Sequence, residues 1–317
     1  MNTNNKLKLA ALAAATSLTA ACSLPGLGGD LEEGTITVAT QSSTEMVILG
    51  FVVEGMIEHY SDLEVEVIQN LGSSTMVNQA LVQGDADIAA ARYTGTALTG
   101  ELGMDPITDP DLAYSTVVEG FADIYNQKFY PSYGFANSYA FLVSRDMAEE
   151  YDLETVSDLA PIADELTAGV DNSWMVREGD GYNAFLETYQ FNFETVYPME
   201  IGLVYDAVAS GNMDVVLGYS TDGRIASYDL VYLEDDLNFF PPYDASPGAT
   251  FELIEEYPIL DEILLKMEGT IATEMMQELN YVADEYLIEP ATVAREFLEQ
   301  NNYFEDTEPY LEPIGGE

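Results

Sequence analysis

Tyrosine is the residue type with the most to say about function here. The chain carries 21 tyrosines beside one tryptophan, one histidine and one cysteine. Several tyrosines stand next to Gly, Asn, Asp or Pro where predicted strands meet loops: Arg92-Tyr93-Thr94-Gly95-Thr96, Asn137-Ser138-Tyr139-Ala140, Gly218-Tyr219-Ser220-Thr221-Asp222 and Pro242-Tyr243-Asp244. Open α/β sheets take ligands beyond their strand ends. Tyrosine faces converging there present the negative side of the ring quadrupole, which suits a quaternary ammonium, a cation unable to donate hydrogen bonds. Each such contact is worth about 0.5–2 kcal/mol when desolvated, so four approach the roughly −8 kcal/mol of micromolar binding. Local sequence alone does not select these four from the 21.

Catalytic chemistry is poorly served. There is no Gly-x-Ser-x-Gly and no phosphate-binding P-loop. A Ser-His-Asp triad would need His59, which lies in the amphipathic pattern Ile57-Glu58-His59-Tyr60 and reads as structural. One cysteine and one histidine exclude a disulfide framework and a Cys/His zinc site. Carboxylates are so abundant that pairs of them carry no information, and Asp105 to Asp111 lacks the EF-hand pattern. The expectation is a non-enzyme without metal or cofactor. The balance of 57 acidic to 9 basic residues, a net charge of −48, excludes phosphate-led nucleic-acid binding. It suggests salty surroundings, in which screening relieves acid self-repulsion, and a fold that loses stability when desalted.

The elements that must position the tyrosines alternate. Strands are expected at Thr35–Thr40, Leu63–Gln69, Asp87–Ala91, Tyr139–Ser144, Thr167–Val170, Gly202–Tyr205, Val215–Tyr219 and Leu230–Leu233. Ser42 with Glu45 three residues on fits a capping box, opening a helix from about Thr44 to Tyr60. Further helices are expected at Ser74–Gly84, Gly181–Phe191 and through most of Phe251–Asn301. The interleaving argues for an α/β protein with parallel-rich sheets. At the N-terminus, Lys6 and Lys8 precede an apolar stretch ending Leu18-Thr19-Ala20-Ala21-Cys22. It reads as a lipoprotein signal peptide over 1–21, with lipid attached at Cys22 and a flexible Gly-rich tether over 22–33.

The four tyrosine segments resemble those of the substrate-binding proteins of osmoprotectant ABC importers, the glycine betaine/carnitine/choline-binding family. Tyr93-Thr94-Gly95-Thr96-Ala97-Leu98, Tyr219-Ser220-Thr221-Asp222-Gly223-Arg224-Ile225 and Phe239-Phe240-Pro241-Pro242-Tyr243-Asp244 carry the likeness in the family's order. Thr40 to Glu45, Arg177 to Gly181, Glu278-Leu279-Asn280 and Val293 to Leu298 extend it. The resemblance implies a type II periplasmic-binding-protein fold: two α/β lobes joined by two crossovers, one lobe from 34–137 with 242–310 and the other from 138–241. It implies that Tyr93 and Tyr243 of the first lobe and Tyr139 and Tyr219 of the second form an aromatic cage. Gln41, Thr96 and Asn137 would add polar contacts, and Arg177 would reach a ligand carboxylate. Some betaine binders have Lys where Gln41 stands, so choline and carnitine stay open beside glycine betaine. The implied partners are a small quaternary amine and the permease subunits, met by a monomer held on the extracytoplasmic face by its lipid. A binding protein of the same fold for another solute, such as an amino acid or polyamine, is the alternative.

Overall fold

The computed structural model describes residues 34–177 and 181–307. The signal segment 1–21, Cys22, the tether 22–33, residues 178–180 and residues 308–310 of the expected first lobe lie outside them. The first lobe is built from β1 (Ile36–Gln41), α1 (Thr44–Tyr60), β2 (Val65–Leu71), α2 (Ser74–Gln83), β3 (Ile88–Tyr93), the turn α3 (Thr94–Thr96), α4 (Pro110–Tyr125) and β4 (Gln127–Phe129). The second follows with β5 (Tyr139–Ser144), α5 (Arg145–Tyr151), β6 (Thr167–Asp171), α6 (Tyr182–Tyr189), β7 (Thr195–Met199), α7 (Val204–Ala209), β8 (Val215–Tyr219), α8 (Gly223–Ser227) and β9 (Leu230–Leu233). The chain then returns to the first sheet as β10 (Ala245–Thr250) and ends in α9 (Phe251–Glu256), α10 (Ile259–Leu265), α11 (Thr273–Glu285) and α12 (Pro290–Gln300).

The strand orders are β2-β1-β3-β10-β4 and β7-β6-β8-β5-β9. Each sheet has a parallel trio, β2-β1-β3 or β7-β6-β8, extended by two antiparallel pairings. This corrects the expectation of parallel-rich sheets. β10 and β5 each follow a crossover between lobes, and each enters its sheet against the direction of both neighbours. The crossovers, 130–138 and 234–244, pair with each other. Ala136 bridges Asp244, the Asn137 amide donates to the Tyr243 carbonyl at 3.1 Å, and the Ala245 amide donates to the Phe135 carbonyl at 3.0 Å. Asn137 and Tyr243 therefore belong to a two-stranded connection between the sheets.

The two cores differ. The first packs Ile36, Ile48, Leu49, Val52, Met56 and their neighbours around α1, most of whose residues are buried. The second is aromatic: Phe141 lies among Trp174, Phe185, Phe193 and Phe240 at ring separations of 5.0 to 6.4 Å. Away from the hinge, α8 of the second lobe packs on α11 of the first. A Cβ on Gly223 would lie 2.5 Å from the Tyr281 amide nitrogen, so only glycine allows this approach.

Two local expectations are corrected. The α1 N-cap is Ser43, whose hydroxyl accepts from the Met46 amide, rather than Ser42, and Glu45 points into the protein instead of closing a capping box. The segment from Ile201 is helical into α7, and the expected strand Gly202–Tyr205 gives way to β7 just upstream. Val204 and Tyr205 are buried by packing a helix, not a strand, against β8. His59 stacks on Tyr303 with ring centroids 4.0 Å apart, and its Nε2 lies 3.4 Å from a Glu305 oxygen. Among the described residues no group of three or more His, Cys, Asp or Glu side chains is arranged to hold a metal, and no helix is long and apolar enough to cross a membrane.

Candidate functional site

Strand register builds the site. Tyr139 opens β5 and Tyr219 ends β8, and the antiparallel pairing sets them directly opposite each other. Cross-strand partners share a face of the sheet, and the two rings lie 5.3 Å apart, tilted by 32°. Phe240 supports Tyr139 from behind at 5.9 Å. The Tyr219 backbone is held by the buried Tyr205, whose hydroxyl accepts from its amide at 2.8 Å.

On the first lobe, Tyr93 ends β3 opposite Ala245 of β10. The turn that follows is fastened to the second crossover, with the Thr94 amide donating to the Asp244 carbonyl at 3.1 Å. Gly95 is required there. A Cβ on it would lie 2.9 Å from the Pro242 carbonyl oxygen and 3.0 Å from the Tyr243 ring. Tyr243 therefore packs against the turn that carries Tyr93 and Thr96.

These pieces enclose a cavity of about 310 Å³ lined by Tyr93, Thr96, Asn137, Ser138, Tyr139, Arg177, Tyr219 and Tyr243. Seven of the eight expected site residues meet there. Gln41 is not among the lining residues: it ends β1, paired with Leu71 of β2. The Arg177 guanidinium lies 5.6 Å from the Tyr139 ring centroid. Its backbone is packed on the start of α6, where a Cβ on Gly181 would lie 2.3 Å from the Arg177 carbonyl oxygen. Among the described residues that line the cavity, Arg177 supplies the only formal charge.

Sequence reasoning missed the layer behind the cage. The Tyr93 hydroxyl donates to Glu45, and the Asn137 amide donates to both Glu45, at 3.1 Å, and Tyr93, at 3.2 Å. The other Glu45 oxygen accepts from Asn280 at 3.2 Å, and the same Asn280 amide donates across the lobes to the Thr221 carbonyl at 2.8 Å. Gln277 donates likewise to the Ser220 carbonyl at 2.7 Å. On the second lobe the Tyr139 hydroxyl donates to Asp171 at 2.9 Å, and Asp171 also accepts from the Ser173 hydroxyl and the Trp174 amide. Burial pushes the Tyr93 phenol well above the ordinary tyrosine range. Burial, with the Asp171 carboxylate adding to it, does the same for Tyr139. Both rings therefore stay neutral phenols.

Residues 34–300 match the model of the substrate-binding domain of ABC-type glycine betaine transport systems. The chain belongs to this family. It is 52% identical over 284 residues to the carnitine transport binding protein OpuCC of Listeria monocytogenes, spanning 90% of this chain and 92% of that one. It is 32% identical over 271 residues to the ergothioneine transport permease/ergothioneine binding protein EgtU of Helicobacter pylori, spanning 85% of this chain and 48% of that protein. A crystal structure of a glycine betaine/carnitine/choline ABC transporter superposes with a TM-score of 0.83 at 49% identity, covering 85% of this chain and all of that one. The family assignment agrees with the two-lobe α/β fold and with a cavity lying where the lobes meet.

Proposed function

We propose that this protein is the solute receptor of an ABC importer and captures a quaternary ammonium osmoprotectant between its lobes. The observation that carries the reading is the convergence of Tyr93, Tyr139, Tyr219 and Tyr243, from both lobes, on one cavity. Four aromatic faces suit an ammonium that carries methyl groups instead of N–H donors. Arg177 stands where the carboxylate of a zwitterion would be held by a charge-assisted bond, which favours carnitine or glycine betaine over choline. A polyamine would need acidic groups on the lining, and the described lining residues include none. The identity to a carnitine-binding relative supports the same substrate class.

In this reading the protein performs no chemistry. It closes on the ligand about the paired crossovers and presents it to the permease. The lobes run over 34–137 with 242–310 and over 138–241, in keeping with the strand content of the two sheets. A lipid at Cys22 holds a monomer on the extracytoplasmic face. The test is a titration of the chain from Ser23 onward, at high salt, with carnitine, glycine betaine, choline, proline and glutamate. Calorimetry measures the binding, and fluorescence of Trp174, buried three residues from Arg177, reports closure. Saturable binding confined to the quaternary amines is expected. Binding of proline or glutamate alone, or no binding at all, overturns the reading.

A further inference from the structure

Behind the cage, each lobe buries one carboxylate with no assigned role. Glu45 and Asp171 are 4% and 7% exposed. Neither lines the cage cavity, yet each accepts the hydroxyl of a cage tyrosine, Tyr93 in the first lobe and Tyr139 in the second. Removing a carboxylate from water costs several kcal/mol. A neutral amide or carbonyl would hold a phenol hydroxyl more cheaply, so it is the charge that calls for an explanation.

We propose that Glu45 and Asp171 are the positioning residues that set the cage's preference for positive charge, each acting through the tyrosine whose hydroxyl it holds. A phenol donating to an anion carries more negative charge on its ring, and its face attracts a cation more strongly. The carboxylate also acts directly across a poorly screened interior. Both effects depend on ligand charge and neither depends on ligand shape. Glu45 has a second role in the same bond set. Its other oxygen holds Asn280, which reaches the Thr221 carbonyl two residues beyond the cage residue Tyr219. The group that charges the first wall therefore also ties it to the second lobe.

The inference rests on the reading that the cage takes a quaternary ammonium, and the experiment separates the two. Affinities are measured for the natural chain and for Glu45→Gln, Asp171→Asn, Tyr93→Phe and the double variant Glu45→Gln/Tyr93→Phe. The ligands are glycine betaine and choline, with their uncharged-head isosteres tert-butylacetate and tert-butylethanol as competitors, in which carbon replaces the ammonium nitrogen. Glu45→Gln and Asp171→Asn should each lower the preference for the ammonium over its carbon isostere by roughly tenfold. The double variant should lose no more than the larger single change, since Glu45 acts through Tyr93. Equal weakening of cation and isostere, an unchanged preference or additive losses in the double variant would overturn the inference while leaving the functional reading intact. If the natural chain binds neither cation, both fall. Should Glu45→Gln fail to melt cooperatively, Tyr93→Phe, which keeps the ring and loses the link, carries the same comparison.

Discussion

The two walls of the cage are held by different physics. The second-lobe wall, Tyr139 and Tyr219, is the tip of an aromatic core that runs through Phe240 to Phe141, Trp174 and Phe185. On the first-lobe wall, Tyr93 packs on an aliphatic core and is aimed by polar contacts of Glu45 and Asn137 with its hydroxyl, while Tyr243 packs against the Gly95 turn. A packed core responds to any change in side-chain volume. A hydrogen-bond network tolerates neither the loss of a partner nor a new unsatisfied group. The polar wall is also the one wired to the interlobe contact, through Asn280.

The largest expected effect is on the packed wall. Phe141→Ala removes a fully buried ring that touches Trp174, Phe185, Phe193 and Phe240. It should cost about 3–5 kcal/mol of stability, read as a large fall in melting temperature. A fall of only a degree or two would mean that the second core is not what supports the wall. Next comes the polar wall. Asn280→Ala leaves one Glu45 oxygen and the Thr221 carbonyl without their donor, at a cost of about 1–3 kcal/mol. Ligand affinity should fall with stability here, because the same bond set aims Tyr93. Stability loss with affinity intact would break the proposed link. Gly95→Ala is smaller in volume but local. The new methyl meets the Pro242 carbonyl and the Tyr243 ring, an overpacking of about 1–3 kcal/mol, and calorimetry should show weaker binding together with a fall in melting temperature.

The legibility of the sequence follows the same division. Val215–Tyr219, Tyr139–Ser144 and Leu230–Leu233 are rich in β-branched and aromatic residues, and they are the observed β8, β5 and β9. β10 was invisible. Its Ala-Ser-Pro-Gly-Ala-Thr has one β-branched residue, and its proline and glycine are accommodated by a register shift between Ser246 and Gly248. β7 was hidden because it is a half-exposed edge strand containing Pro198. Ile201-Gly202-Leu203-Val204-Tyr205 looked like a strand by propensity, but the packing of α7 on β8 overrides it. At the site, the cage residues were legible only through resemblance. Glu45 was misread because Ser42 and Glu45 have the spacing of a capping box. Its partners Tyr93, Asn137 and Asn280 are 48, 92 and 235 residues away in sequence, and no local pattern reaches that far.

The smallest expected effect is on pH dependence, and it tests whether Tyr93 and Tyr139 remain neutral. Tyr93 and Tyr139 both have folded pKa values raised above the ordinary 10.0, chiefly by burial. A tyrosine whose pKa is raised by folding contributes stability that is fully present below its unfolded value and is lost as pH rises through the folded one. Ligand affinity should therefore stay level from neutral pH to about pH 10, where an unperturbed phenol would be half ionised. Above it, the natural chain should lose stability more steeply than Tyr93→Phe or Tyr139→Phe, each of which removes one group that folding holds protonated. The phenolate absorbance of the folded protein should lag behind that of the unfolded chain over the same range. An affinity that falls between pH 8 and pH 10 in the natural chain but stays level in Tyr93→Phe or Tyr139→Phe, with phenolate appearing in step, would mean that one of these two hydroxyls ionises in the native state. The carboxylates behind the walls would then not be holding protonated phenols, and the contrast between the packed and the polar wall would lose its electrostatic half.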